Sequence, residues 1–123
     1  MGLSKYFFDS YAIIEIIKAN PGYLKYLDEE VLLTVFNLAE IYFFSLSNLG
    51  QVSSDIVYDK YKRNIVEIDE GSLKEAMKFR HINKKRSLSY ADCVGYVYAL
   101  RNGLLFLTGD KEFEGLKNVE FVK

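Results

Sequence analysis

Short apolar runs alternate along the chain with stretches whose apolar residues recur every three or four positions. That is the pattern of buried strands joined by amphipathic helices. Lys5-Tyr6-Phe7-Phe8 is the first run, and Asp9-Ser10 after it starts a helix in which Ala12, Ile13, Ile16 and Ile17 share a face until Asn20-Pro21-Gly22 ends it. A short second helix is expected over Tyr23 to Leu27, then a strand at Val31-Leu32-Leu33 with Thr34 at its exit. The next helix runs from about Val35 to Leu46 and stops near Asn48-Leu49-Gly50. Ser53-Ser54-Asp55 reads as the cap of another, reaching about Arg63, before a third strand at Ile65-Val66-Glu67-Ile68. Asp69 opens a helix with Leu73, Ala76, Met77 and Ile82 on one face, ending in Lys84-Lys85-Arg86. Ser89-Tyr90-Ala91-Asp92 has the form of a capping box with Asp in place of Glu or Gln, leading a helix to about Arg101 with Gly103 as its stop. Leu104 to Leu107 and Val119 to Val122 make a fourth and a fifth strand.

Strands alternating with helices predict an α/β fold whose parallel sheet is covered on both faces by right-handed crossovers. The near-continuous apolar strands agree, because a parallel sheet buries both its faces. With 123 residues and no internal repeat, low-complexity tract or linker, residues 1–123 read as one domain. Half of the residues are apolar and 27% are charged, which suits a globular chain rather than a disordered one. The apolar stretch Val31 to Leu49 carries Asn37 and Glu40 near its middle, so it reads as strand plus helix and not as a membrane span.

A net charge of −1 argues against binding nucleic acid through overall positive charge, though a local basic patch remains open. One cysteine, Cys93, excludes an internal disulfide and suits a reducing cytoplasm, and no signal peptide is visible.

The predicted topology makes a statement about the acids. Helices running antiparallel to the strands bring strand C-termini and helix N-termini to one edge of the sheet, where such folds bind ligands. Asp9 follows the first strand and Asp110 the fourth, Asp92 lies in the first turn of its helix, and Glu40 lies about five residues, roughly 7 Å, into its own. Each has an ordinary structural use: Asp9 and Asp92 as caps, and Gly109-Asp110-Lys111 as a turn. Glu40 fits such a role least, set among Leu38, Ala39, Ile41 and Tyr42. Together on one edge the four read as a site. Crowded carboxylates repel one another and a divalent cation relieves this, with oxygen-only ligands favouring Mg²⁺ or Mn²⁺ over Zn²⁺. A single His81 and a single Cys93 make no zinc motif.

Four blocks stand in order: Phe7-Phe8-Asp9-Ser10; Thr34 to Tyr42 with its single Glu40; Ser89-Tyr90-Ala91-Asp92-Cys93; and Leu107-Thr108-Gly109-Asp110-Lys111-Glu112-Phe113. Together they resemble PIN domains, particularly the small VapC-like toxins of toxin–antitoxin pairs. The resemblance implies a three-layer α/β/α domain with a parallel sheet of four to five strands ordered 3-2-1-4-5. It implies Mg²⁺- or Mn²⁺-dependent cleavage of RNA, with Asp9, Glu40, Asp92 and Asp110 as metal-site and catalytic positions and Glu112 where many members carry a further acid. Ser10 and Thr108 would support these acids through hydroxyl hydrogen bonds. An antitoxin partner and a homodimer are implied as well.

Lys78, Arg80, His81, Lys84, Lys85 and Arg86 form the only dense basic segment. It suits either an RNA-backbone contact, with Lys84, Lys85 and Arg86 nearest the Asp92 helix, or a solvated helix end. Cys93 reads as a packing residue, and Phe36, Tyr42, Phe43 and Phe44 as core or a dimer face. A competing reading is a non-catalytic PIN-like RNA- or protein-binding module. No GxxxxGK[ST] is present for a P-loop, and Asp9-Ser10-Tyr11 lacks the Asp-x-Asp of haloacid-dehalogenase-type phosphatases. Response-regulator receivers would want an aspartate after the third strand and a lysine after the fifth, and neither fits.

Overall fold

The computed structural model describes residues 4–123. Among them, three strands form one parallel sheet in the order β1-β2-β3: β1 is Tyr6–Phe8, β2 Leu105–Thr108 and β3 Val119–Phe121. Phe7 pairs with Phe106 and Phe8 with Leu107, while Leu107 and Thr108 pair onward with Glu120 and Phe121. Alternation along each strand sends Phe7 and Phe106 to one face and Phe8 and Leu107 to the other, and all four are fully buried.

Five helices cover these faces: α1 (Ser10–Ile17), α2 (Val35–Leu49), α3 (Gln51–Tyr61), α4 (Glu70–Ile82) and α5 (Tyr90–Arg101). Phe7 and Phe106 pack with Ala76, Val94, Tyr96 and Val97 of α4 and α5. Phe8 and Leu107 pack with Ala12, Ile13, Leu38 and Ile41 of α1 and α2. Helices therefore lie on both sides of the sheet, as expected for an α/β domain with parallel strands. α5 comes close enough that a Cβ on Gly95 would sit 2.6 Å from a Phe7 ring carbon. No helix among the described residues is long and apolar enough to cross a membrane.

The sheet has three strands, not the four to five expected. The expected second and third strands reduce to a parallel bridge, Leu33 to Ile65. Leu32 O accepts from Phe8 N at 2.9 Å, and Leu33 O from Val66 N at 2.8 Å, but no longer ladder follows. Local chemistry is the reason. Thr34 caps α2 directly after Leu33, and Ile65–Ile68 is squeezed between a 3-10 turn at Lys62–Asn64 and the Asp69 cap of α4.

Other boundaries also differ. In place of the α-helix expected over Tyr23 to Leu27 stands a 3-10 turn over Pro21–Tyr26, with Leu27 as its C-cap. α2 continues to Leu49, and Gly50, with φ of 84°, turns the corner into α3, leaving Ser53 and Ser54 inside that helix rather than at its cap. On α4 only Ala76 of the expected apolar face is buried, Met77 is partly so, and Leu73 and Ile82 are exposed.

Candidate metal-dependent active site

Each acid reaches the same edge through its own turn. Asp9 follows β1 and caps α1, its Oδ1 accepting from Ser10 N at 2.8 Å. Asp92 completes the capping box of α5: Asp92 N donates to Ser89 Oγ at 3.0 Å, and Asp92 Oδ2 accepts from Ser89 N at 2.8 Å. Asp110, two residues after β2, caps a 3-10 turn over Lys111–Phe113 by accepting from Glu112 N at 3.0 Å. Glu40 stands in the second turn of α2, its Oε1 accepting from Ser10 Oγ at 2.6 Å. The capping uses of the three aspartates are thus real, and they coexist with convergence. Asp9, Glu40, Asp92 and Asp110 all line one open cavity of about 680 Å³.

Asp9 lies at the bottom, only 2% exposed, held from its other side by Thr108 Oγ1 donating to Oδ2 at 2.7 Å. Thr108 is itself fully buried and accepts from Asp110 N at 3.1 Å, so one hydroxyl links two acids. Burial above all, then the charges of Asp92 and Glu40, push Asp9 up to about 8, although the bonds from Thr108 and Ser10 pull the other way. Burial also raises Asp92 to about 6, helped by Glu40 and Asp110 and opposed by Ser89. These shifts express burial first and the neighbouring negative charges second, and a shared cation would offset both.

The donor set fits a hard divalent cation. It is made of carboxylate oxygens alone, and the second oxygen of Glu40, Asp92 and Asp110 accepts no hydrogen bond from a described side chain or backbone amide. Among the described residues no three His, Cys, Asp or Glu side chains are drawn tightly enough together to make a ready-made cage. Glu112 lines neither cavity that Asp92 lines; its backbone N–H is what serves Asp110.

A second cavity of about 560 Å³ shares Glu40 and Asp92 with the first and is lined on its far side by Arg80 and Arg86. Arg80 is held by its Nε donating to Leu88 O at 3.1 Å and by its guanidinium lying 4.4 Å from the centre of the Tyr90 ring. Arg86 Nη1 donates to Glu112 O at 2.7 Å, tying the basic loop to the Asp110 turn. Lys84 and Lys85 are exposed and line neither cavity.

Sequence reading passed over several contributors. Arg80 was one cation among many until the fold brought it to a cavity that Asp92 also lines. Phe43 and Phe44 form an apolar wall of the acidic cavity, and Phe43 is 72% exposed, so the aromatic run of α2 is not core. Asn37 is wholly buried and donates from Nδ2 to Ser10 Oγ at 2.9 Å. Its signal was Thr34-x-x-Asn37, a capping box with Asn in the reciprocal position. Cys93 is buried, and burial followed by the Asp92 charge pushes its thiol up to about 11, as suits packing rather than nucleophilic attack.

The PIN domain family model matches residues 6–119. Among solved structures, Mycobacterium tuberculosis VapC20, described as a sarcin-ricin loop cleaving toxin, is similar with a TM-score of 0.79 at 13% identity, over 97% of this chain and 100% of that one. A toxin–antitoxin complex from Klebsiella pneumoniae has a TM-score of 0.72 at 15% identity, over 94% and 96%. FitAcB from Neisseria gonorrhoeae has a TM-score of 0.66 at 16% identity, over 96% of each chain. At such identities the likeness concerns the fold. No curated protein sequence matches the chain.

Proposed function

Since this chain belongs to the PIN domain family, we propose that it is a metal-dependent endoribonuclease of one domain, the toxin of a toxin–antitoxin pair acting in the cytoplasm. The observation that carries the reading is the meeting of four carboxylates, from four separate chain segments, around one open cavity. In this reading Asp9, Glu40, Asp92 and Asp110 hold Mg²⁺ or Mn²⁺. When bound, the cation supplies an activated water and charge stabilisation for the oxygen leaving the phosphodiester. Asp9 anchors the floor, where Thr108 and Ser10 N keep its oxygens in place. Glu40 and Asp92 line both the acidic cavity and the one lined by Arg80 and Arg86, which supports the arginines as contacts for the RNA backbone next to the acids.

The partner side of the reading rests on the kinds of protein this fold resembles. The Klebsiella structure is a toxin–antitoxin complex, which supports an antitoxin for this chain. The exposed Phe36 and Phe43 offer apolar surface for the antitoxin or for a second copy.

Purified protein incubated with mixed RNAs should cut them in Mg²⁺ or Mn²⁺ and stop in EDTA. Asp92→Asn should reduce the rate by at least 100-fold, the scale of losing a group that stabilises developing charge. The absence of a ready-made three-ligand cage favours one competitor, a non-catalytic RNA- or protein-binding module. Cleavage that ignores EDTA, or RNA bound without any cleavage, would decide for that competitor or for a contaminant.

A further inference from the structure

The hydroxyl of Ser10 has one proton to give, and a buried chain of amides decides where it goes. The chain starts at Thr34 N–H, which can only donate. Asn37 must therefore turn its Oδ1 toward Thr34, where it accepts from Thr34 N at 2.9 Å and from Thr34 Oγ1 at 2.8 Å. The other end of the same amide, Nδ2, then faces Ser10 Oγ at 2.9 Å. An amide nitrogen only donates, so Ser10 Oγ accepts there and its own proton is left for Glu40 Oε1, 2.6 Å away. Thr34 and Asn37 are fully buried, which leaves no solvent to substitute for a missing partner. The direction of every link follows from one backbone amide.

We infer that Asn37 is a positioning residue for the acidic site: by fixing the direction of the Ser10 hydroxyl bond it anchors one oxygen of Glu40 and leaves the other for a cation. The inference rests on the metal-site reading above. Asn37 lies one helical turn ahead of Glu40 on the same side of α2, so both ends of the relay belong to one rigid element while Ser10 belongs to another. The relay thereby sets the position of α2's acid relative to Asp9, the residue before Ser10. A simpler role exists, in which Asn37 only closes the capping box with Thr34.

Asn37→Asp separates the two roles. Aspartate still accepts from Thr34 N and suits the first turn of a helix, so the cap survives. It cannot donate to Ser10, whose proton then turns toward residue 37 and leaves Glu40 unanchored. Its extra negative charge would by itself tighten cation binding. Mn²⁺ titration followed by calorimetry should instead show Kd raised about 10-fold or more, the usual size of losing a partner that orients a metal ligand. Ser10→Ala, which leaves the α2 cap untouched, should weaken Mn²⁺ binding comparably, and the double variant should bind no more weakly than Ser10→Ala alone. Ser10→Thr, which keeps the hydroxyl, should restore binding. Mn²⁺ bound to Asn37→Asp as tightly as to the wild type, or losses that add in the double variant, would overturn the inference while sparing the metal site. Wild-type protein that takes up no Mn²⁺ would overturn the site reading itself, and the inference with it.

Discussion

Replacing Asp9 by Asn should make the metal-free protein more stable near neutral pH while removing its activity. Asp9 titrates at about 8 against a reference of 3.8 because it is buried beside Asp92 and Glu40. A folded-state value above the unfolded one means that the native state keeps a proton the unfolded chain has lost. Below pH 4 both states carry it and the carboxyl has no effect. As pH rises from 4 to 8 the unfolded state is increasingly favoured, and stability falls. The full displacement sets a ceiling of roughly 5–6 kcal/mol, at about 1.36 kcal/mol per pH unit. Asn escapes this cost and still accepts from Ser10 N, but its nitrogen cannot accept from Thr108 Oγ1, which costs about 1 kcal/mol. Water reaching the acids through the open cavity reduces the gain further, leaving about 2–4 kcal/mol at pH 7.5. For a chain of this size that is roughly 5–15 °C in Tm. Thermal melts of both proteins in EDTA at pH 4 and pH 7.5 should show the variant ahead only at the higher pH. Added Mn²⁺ should then raise the Tm of the wild type and not that of the variant. An Asp9→Asn protein that melts at or below the wild type at pH 7.5 would refute the claim that an ionised Asp9, buried beside two other acids, destabilises the metal-free fold.

Three further outcomes follow from the same geometry. Cation binding must displace protons held by Asp92, near 6, and Asp9, near 8, so Mn²⁺ affinity should fall at least about 10-fold between pH 8 and pH 6 in calorimetric titrations. Gly109→Ala would set a Cβ 2.3 Å from Val122 O and 2.4 Å from a Tyr11 ring carbon, so the turn carrying Asp110 must move. It should cost about 1–3 kcal/mol in denaturant unfolding, with RNA cleavage suppressed even where the protein remains folded. Arg86→Glu should weaken RNA binding and flatten its salt dependence more than Lys84→Glu or Lys85→Glu in filter-binding titrations. Only Arg86 of the three lines the cavity next to Asp92.

What the primary structure settled were features with a local cause. Caps are decided within one turn, so Asp9, Asp69 and Ser89 could be read directly as helix starts, and each is one. The buried strands around Phe7 and Phe106 were visible as unbroken apolar runs, and their crossover geometry carried Asp9 and Asp110 to one edge without any coordinates. The blocks around Asp9, Glu40, Asp92 and Asp110 were legible by their resemblance to PIN domains, since each is a short contiguous run. Distances across the chain were not. Whether Val31–Leu33 and Ile65–Ile68 complete a sheet depends on ladder bonds with neighbours far away in sequence, and only the Leu33 to Ile65 bridge forms. Ile82 and Leu73 kept helical spacing yet face solvent, since spacing defines a stripe but not what lies opposite it. Arg80 in one cavity with Asp92, Phe43 walling the acids and Asn37 aiming the Ser10 hydroxyl exist only once α2, α4 and α5 are packed on their sheet. Covalent order determines which groups sit near a turn; only tertiary packing decides which turns share a cavity, because that choice is made by burial summed over the whole core.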